Sequence, residues 1–151
     1  MNKFANGVEL LLATVWIGGL WGIGFLAVPV LFQAQPDKIL AGMLAGKMFS
    51  SMAYVGMFSA GLLLLHSISQ FGLAAFKQKA SIITVTMLIL TLIMQFGIQP
   101  IMTDLKTLAL PAEVMHSTYA DRFKMLHGIS STLYLMQSLL GALLILGIKR
   151  N

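Results

Sequence analysis

Four stretches of this 151-residue chain are each long and apolar enough to cross a lipid bilayer, and no other feature constrains its fold as strongly. A hydrocarbon core takes about 20 apolar residues of helix. The four runs lie at about 8–32, 49–76, 81–102 and 123–148. Backbone polar groups in hydrocarbon must be satisfied within the chain, so runs of this length are helices. The expectation is all-α: an integral membrane four-helix bundle, with residues 1–151 forming a single four-span domain. Composition agrees, with 10% charged residues against roughly 25% in soluble domains.

The charge pattern narrows the partners. Ten Lys and Arg against five Asp and Glu would suggest nucleic acid in a soluble chain. Here the basic residues are spread singly at the ends of apolar runs, as membrane flanks are. The expected partners are therefore membrane lipids and a second copy of the chain, with no nucleic acid. Cysteine is absent, which excludes disulfides, Cys-ligated zinc and thiol catalysis. The run that begins near residue 8 is too long for the h-region of a signal peptide, and "FQAQPD" offers no small-x-small cleavage site. It is read as an uncleaved first span.

"KQK" alone separates runs two and three, so these form an antiparallel hairpin. Pro29 and Pro100 fall near the ends of runs one and three. Longer loops are expected at 33–46 and 103–121, where Pro111 and Glu113 read as the start of a helix leading into span four. An even number of spans puts both termini on one side. Lys3, Lys77, Lys79, Lys149 and Arg150 lie on that side, and Lys38, Lys47, Lys106, Arg122 and Lys124 on the other. The short loop that holds Lys77 and Lys79 breaks this tie in favour of cytoplasmic termini.

Polar residues within the runs recur at helical spacing. Span four carries His127, Ser130, Ser131, Tyr134, Ser138 and Gly141, and span three carries Thr84, Thr91, Gln95 and Gln99. Span two has Ser59, His66 and Gln70. Span one has Thr14, Gly18 and Gly22, a small-xxx-small face suited to helix packing or to self-association. Helix-packing glue is the ordinary reading of such stripes. With termini inside, depth divides them into two layers. His127, Arg122, Gln95, Gln99 and Ser131, with Lys47, form a candidate outer polar site in which Arg122 and Lys47 would attract an anion. Glu9, His66 and Gln70 form an inner layer, with Gln137 grouped beside them, and Glu9 is expected to pair with His66 or Gln70. Imidazole titrates near neutral pH, so His127 is the candidate centre for binding or proton movement.

Several chemistries fit poorly. His66 and His127 differ in depth by roughly 15 Å, and no HxxxH or HExxH spacing occurs, so no bound cofactor is expected. "GMLAGKM" at 42–48 has phosphate-loop glycines at the wrong spacing, and Met48 stands where Ser or Thr would hold magnesium. "GGLWG" at 18–22 is a packing face. Catalysis by Ser130 or Ser131 with His127 lacks an acid within the span, because Asp121 falls on another face. Met43, Met48, Met52, Met102, Met115 and Met125 would lie near the outer face; thioethers favour soft ions, although methionine is also ordinary flexible core material.

"FKMLHGISSTLYL" (123–135), "AVPVLF" (27–32) and "KMFSSMAYVG" (47–56) together resemble the transmembrane protein 205-like family. The most specific element is His127-Gly128-x-Ser130-Ser131. The resemblance runs along nearly the whole chain. It implies a small four-helix protein of the bacterial cytoplasmic membrane. Most bacterial members are described as a domain of unknown function. The human member's association with resistance to platinum drugs implies export or trafficking of metal compounds. No thiolate relay carries over to a chain without cysteine. Transport or export of a small molecule or metal compound through the polar site is the leading expectation. A structural or assembly role with packing-only stripes is the alternative.

Overall fold

The computed structural model describes residues 3–148, with side chains over 7–147. Its helices are α1 (Lys3–Trp21), α2 (Val28–Ala34), α3 (Lys38–Phe71), α4 (Lys79–Leu92), α5 (Gln99–Ala109) and α6 (Ala120–Ile148). Wider π-helical turns, Gly22–Ala27 and Ile93–Ile98, join α1 to α2 and α4 to α5 without a break. Four continuous helical spans result, Gly7–Ala34, Lys38–Lys77, Lys79–Ala109 and Ala120–Gly147, each able to cross a membrane. The protein is an integral membrane four-helix bundle. α3 packs on α1 and α4, and α6 packs on α4 and α1, so the spans close into a ring in chain order. Of the basic residues that bear on orientation, Lys149, Arg150 and the side chain of Lys3 lie outside the described residues.

The spans are longer than hydropathy alone implies, for local reasons. Proline removes an N–H and crowds the carbonyl four residues back, which would end or kink a regular α-helix. Here each proline follows a π turn by two residues. Val28 N–H donates to the Ile23 carbonyl and Gln99 N–H to the Met94 carbonyl, both five residues back. The helices therefore continue through Pro29 and Pro100. α3 begins at Lys38 because Asp37 caps it, accepting from Ile39 N at 2.9 Å and Leu40 N at 3.1 Å. Lys38 Nζ turns back onto the end of α2, reaching the Phe32 carbonyl at 2.6 Å and the Gln35 carbonyl at 3.0 Å. The loop expected at 33–46 thus shrinks to 35–37. The helix expected from Pro111 into span four does not form. Only the short turn Val114–His116 is helical before the chain extends at Ser117. The Ser117 hydroxyl accepts from Tyr119 N at 3.1 Å and donates to the Val114 carbonyl at 2.8 Å, fixing that turn. At the other end, Gly72 takes φ +57°, a left-handed conformation suited to glycine, and turns α3 into the hairpin.

Two apolar cores stack along the bundle. Trp16, Ile17, Met52, Leu63, Met87 and Leu144 belong to the one nearer the termini. Ile98, Met102, Leu105, Ala109, Val114 and Phe123 form the distal one. Lipid is as apolar as leucine, so close packing and interhelical hydrogen bonds, rather than burial from water, hold such helices together. The close approaches occur at particular glycines. A Cβ on Gly56 would lie 3.0 Å from Trp16 Cδ1, and one on Gly141 would lie 3.0 Å from Ile17 Cγ1. The expected Gly18–Gly22 face is not among them. A Cβ on either would meet nothing within 4 Å, because α1 turns Ala13, Trp16, Ile17 and Leu20 into the bundle instead. The "GMLAGKM" glycines do have a packing role. Gly46 accepts from Gln99 Nε2 at 3.3 Å and Gly42 from Lys106 Nζ at 3.0 Å, tying α5 to α3.

Candidate functional site

Between the two cores the bundle encloses a cavity of about 400 Å³ to which all four spans contribute. Its lining is divided by chain order. Spans one and two give an apolar wall that includes Trp16, Leu20, Phe25, Val28, Phe49 and Met52. Apart from the indole N–H of Trp16, every polar side chain of the lining comes from spans three and four: Thr91, Gln95 and Gln99 on one, and His127, Ser130, Ser131, Tyr134 and Gln137 on the other. Both π turns border the cavity, through Gly24 and Phe25 and through Met94 and Gln95. Single widened turns of this kind often mark functional sites.

Tyr134 joins span four to span one. Its hydroxyl donates to the Leu20 carbonyl, and its ring meets Phe25 and Phe49 edge-on at 6.4 Å and 5.3 Å. The absence of a side chain at Gly24 makes this approach possible, since a Cβ there would lie 2.8 Å from both Cζ and Oη of Tyr134. One turn further along α6, Gln137 is 2% exposed. Its Nε2 donates to Thr91 Oγ1 at 2.7 Å, and Thr91 donates in turn to the Met87 carbonyl at 2.9 Å. With that hydroxyl proton committed, Gln137 Oε1 has no hydrogen-bond partner among the described residues. A buried carbonyl left in that state costs roughly 1–3 kcal/mol.

Four of the six residues expected at the outer site line this one cavity: His127, Gln95, Gln99 and Ser131. Arg122 and Lys47 do not. Both side chains are exposed, and α3 carries Lys47 well inside a helix that begins at Lys38. His127 lies at the rim, exposed, its ring stacked on Phe123 at 5.9 Å. Neither neighbouring hydroxyl engages that ring: Ser131 donates to the His127 backbone carbonyl at 2.8 Å, and Ser130 approaches Met102 Sδ at 3.7 Å. Towards the termini, His66 Nε2 lies 3.8 Å from Glu9 Oε2, with both side chains about a quarter exposed. Gln70 is exposed. Gln137 belongs with the cavity and Thr91, not with the Glu9 layer. A lone glutamine in an apolar run was the available signal for it.

A family model described as a domain of unknown function, DUF4149, matches residues 11–110. The chain belongs to that family. Within the DUF4149 match lie the apolar wall and the third span; His127, Ser131, Tyr134 and Gln137 fall beyond it. No curated protein and no solved structure was found to match the chain.

Proposed function

We propose that this protein handles a small molecule within the membrane, as a transporter or exporter, with the cavity between the two cores as its binding site. The observation that carries this reading is the cavity itself, which brings neutral hydrogen-bonding side chains of spans three and four against an apolar wall. Packing glue accounts less well for the polar stripes. Thr84, Ser131, Thr132 and Ser138 all donate to carbonyls four residues back in their own helices, so these bonds hold no helix pair together. A soft metal compound is a second occupant to consider, because the thioethers of Met52, Met94 and Met102 share the lining with His127. The finer resemblance to the transmembrane protein 205-like family points the same way and rests on His127, Gly128, Ser130 and Ser131. We place the protein in the bacterial cytoplasmic membrane with cytoplasmic termini. The outward Gly18 and Gly22 are the proposed face for self-association.

Cysteine-free protein makes the test direct. A Gln95→Cys variant in sealed vesicles should react with a small maleimide, and Met87→Cys, fully buried in the core, should not. Transport further requires that Gln95→Cys react with an impermeant thiol reagent supplied from each side in turn. Reaction from one side alone indicates a binding protein. Reactivity no greater than that of Met87→Cys returns the stripes to packing.

A further inference from the structure

We propose that the occupant is an uncharged single-chain amphiphile, carrying a hydroxyl or amide donor, that reaches the cavity sideways from the bilayer. This rests on the small-molecule reading above and adds the ligand class and the route. No Asp, Glu, Lys or Arg is among the lining residues. His127 offers a positive charge only at the exposed rim, so a charged ligand at the floor would give up its hydration without a countercharge, which is costly in a low-dielectric site. An uncharged one meets amides and hydroxyls on one side and apolar surface on the other.

The opening lies between spans one and four. Close packing of α6 on the first span is with α1, while α2 packs on α3. Beyond Tyr134 the two spans part. Phe25 and Pro29 stand exposed on one rim, and His127, Ser131 and Leu135 on the other. Phe25 is 57% and Leu135 52% exposed, and both lie within helices that cross the membrane, so this rim faces lipid. From His127 to Gln137 the lining extends ten residues along α6, roughly 15 Å. A volume of about 400 Å³ over that length gives a mean cross-section of about 27 Å². That width admits one extended hydrocarbon chain.

We assign the polar end of the ligand to the floor of the cavity, past the half-buried Gln95 and Gln99 amides. Tyr134, between rim and floor, has its hydroxyl proton committed to the Leu20 carbonyl. At the floor, Gln137 Oε1 is a buried acceptor without a partner. That oxygen is covered by its neighbours, so a ligand donor pairs with it only when the amide turns into the cavity that Gln137 lines.

Trp16 reads the outcome, because it lines the cavity and is 1% exposed. The chain has two tryptophans, so Trp21→Phe leaves Trp16 as the sole emitter. The probe is a long-chain alcohol brominated beside its hydroxyl, dissolved in phosphatidylcholine vesicles that hold the protein. Bromine quenches on contact. Saturable quenching of Trp16 is expected, at a half-saturating level about five-fold below that of the bromoalkane without the hydroxyl, the worth of one neutral hydrogen bond. The matching bromocarboxylate should give no saturable quenching. Gln137→Met should make alcohol and alkane equivalent. Ser131→Phe, or Val28→Phe on the opposite wall, should abolish saturation by closing the rim. Trp16→Phe, which reports from exposed Trp21, should show only non-saturable quenching.

Quenching of Trp16 by aqueous acrylamide but not by the bromoalcohol would overturn the lateral route and leave the small-molecule reading standing. Quenching by neither would overturn both. Equal affinity for alcohol and alkane in the parent protein would remove Gln137 as the acceptor, and saturation by the carboxylate would overturn the uncharged ligand.

Discussion

Alanine at Gly24 probes the contact that shapes the cavity. The added Cβ would lie 2.8 Å from Cζ and from Oη of Tyr134, closer than real side chains come. The ring cannot swing away freely. Its hydroxyl is held by the Leu20 carbonyl and its edges by Phe25 and Phe49. In an unobstructed helix, Gly→Ala is favourable by about 0.8–1 kcal/mol. Overpacking of this kind costs about 1–3 kcal/mol, and losing the interhelical hydrogen bond adds about 0.6 kcal/mol in a membrane protein. The expected net is a destabilisation of about 1–2 kcal/mol, measured by reversible unfolding in mixed micelles. Gly97→Ala, in the other π turn, meets nothing within 4 Å and should be neutral or slightly stabilising. Tyr134→Leu should remove most of the Gly24→Ala penalty, so the pair is non-additive. Equal effects of Gly97→Ala and Gly24→Ala, or strict additivity with Tyr134→Leu, would show that Tyr134 does not press on span one.

Three other outcomes follow from the same geometry. Gln137→Met with Thr91→Val removes a buried bond together with an unpaired carbonyl, so stability should hold or rise; a loss above about 1 kcal/mol would mean that Oε1 already has a structural partner, such as a buried water. Glu9→Gln and His66→Gln, with side chains 27% and 25% exposed, should show a coupling below about 1 kcal/mol in a double-mutant cycle, and no coupling would count against the pair. For orientation, Leu108→Cys should react with an impermeant thiol reagent in intact cells and Gln78→Cys should not; the reverse pattern would place the termini outside.

Hydropathy was a sound guide to the number of spans and the hairpin, because a bilayer demands long apolar helices whatever their packing. It was a poor guide to their ends. The Asp37 cap is a local hydrogen-bonding event, and the π turns before Pro29 and Pro100 rescue helices that a proline rule would stop. Hydropathy was also blind to which face of span one turns inward. In water the apolar face of a helix is the buried one, but in lipid both faces are apolar. Thr14, Gly18 and Gly22 and the set Ala13, Ile17, Leu20 and Gly24 are then equally plausible stripes. The bulk of Tyr134 against Gly24, and of Ile17 against Gly141, separates them.

Gln95, Gln99 and His127, which depth counting groups together, line one cavity, and so does Gln137, which it groups elsewhere. A slot about 15 Å long crosses the boundary between two layers, so residues of different depth can share it. Side-chain reach explains which polar residues were informative. Serine and threonine can satisfy themselves on the carbonyl one turn back, as Thr84, Ser131 and Ser138 do, and so their presence in a span implies no neighbour. Glutamine is long enough to bond across to another helix. Gln99 does so to Gly46 and Gln137 to Thr91, each carrying an amide that must find a partner outside its own helix. In this bundle, a glutamine that bonds across to another helix locates the polar interior better than a hydroxyl that bonds within its own.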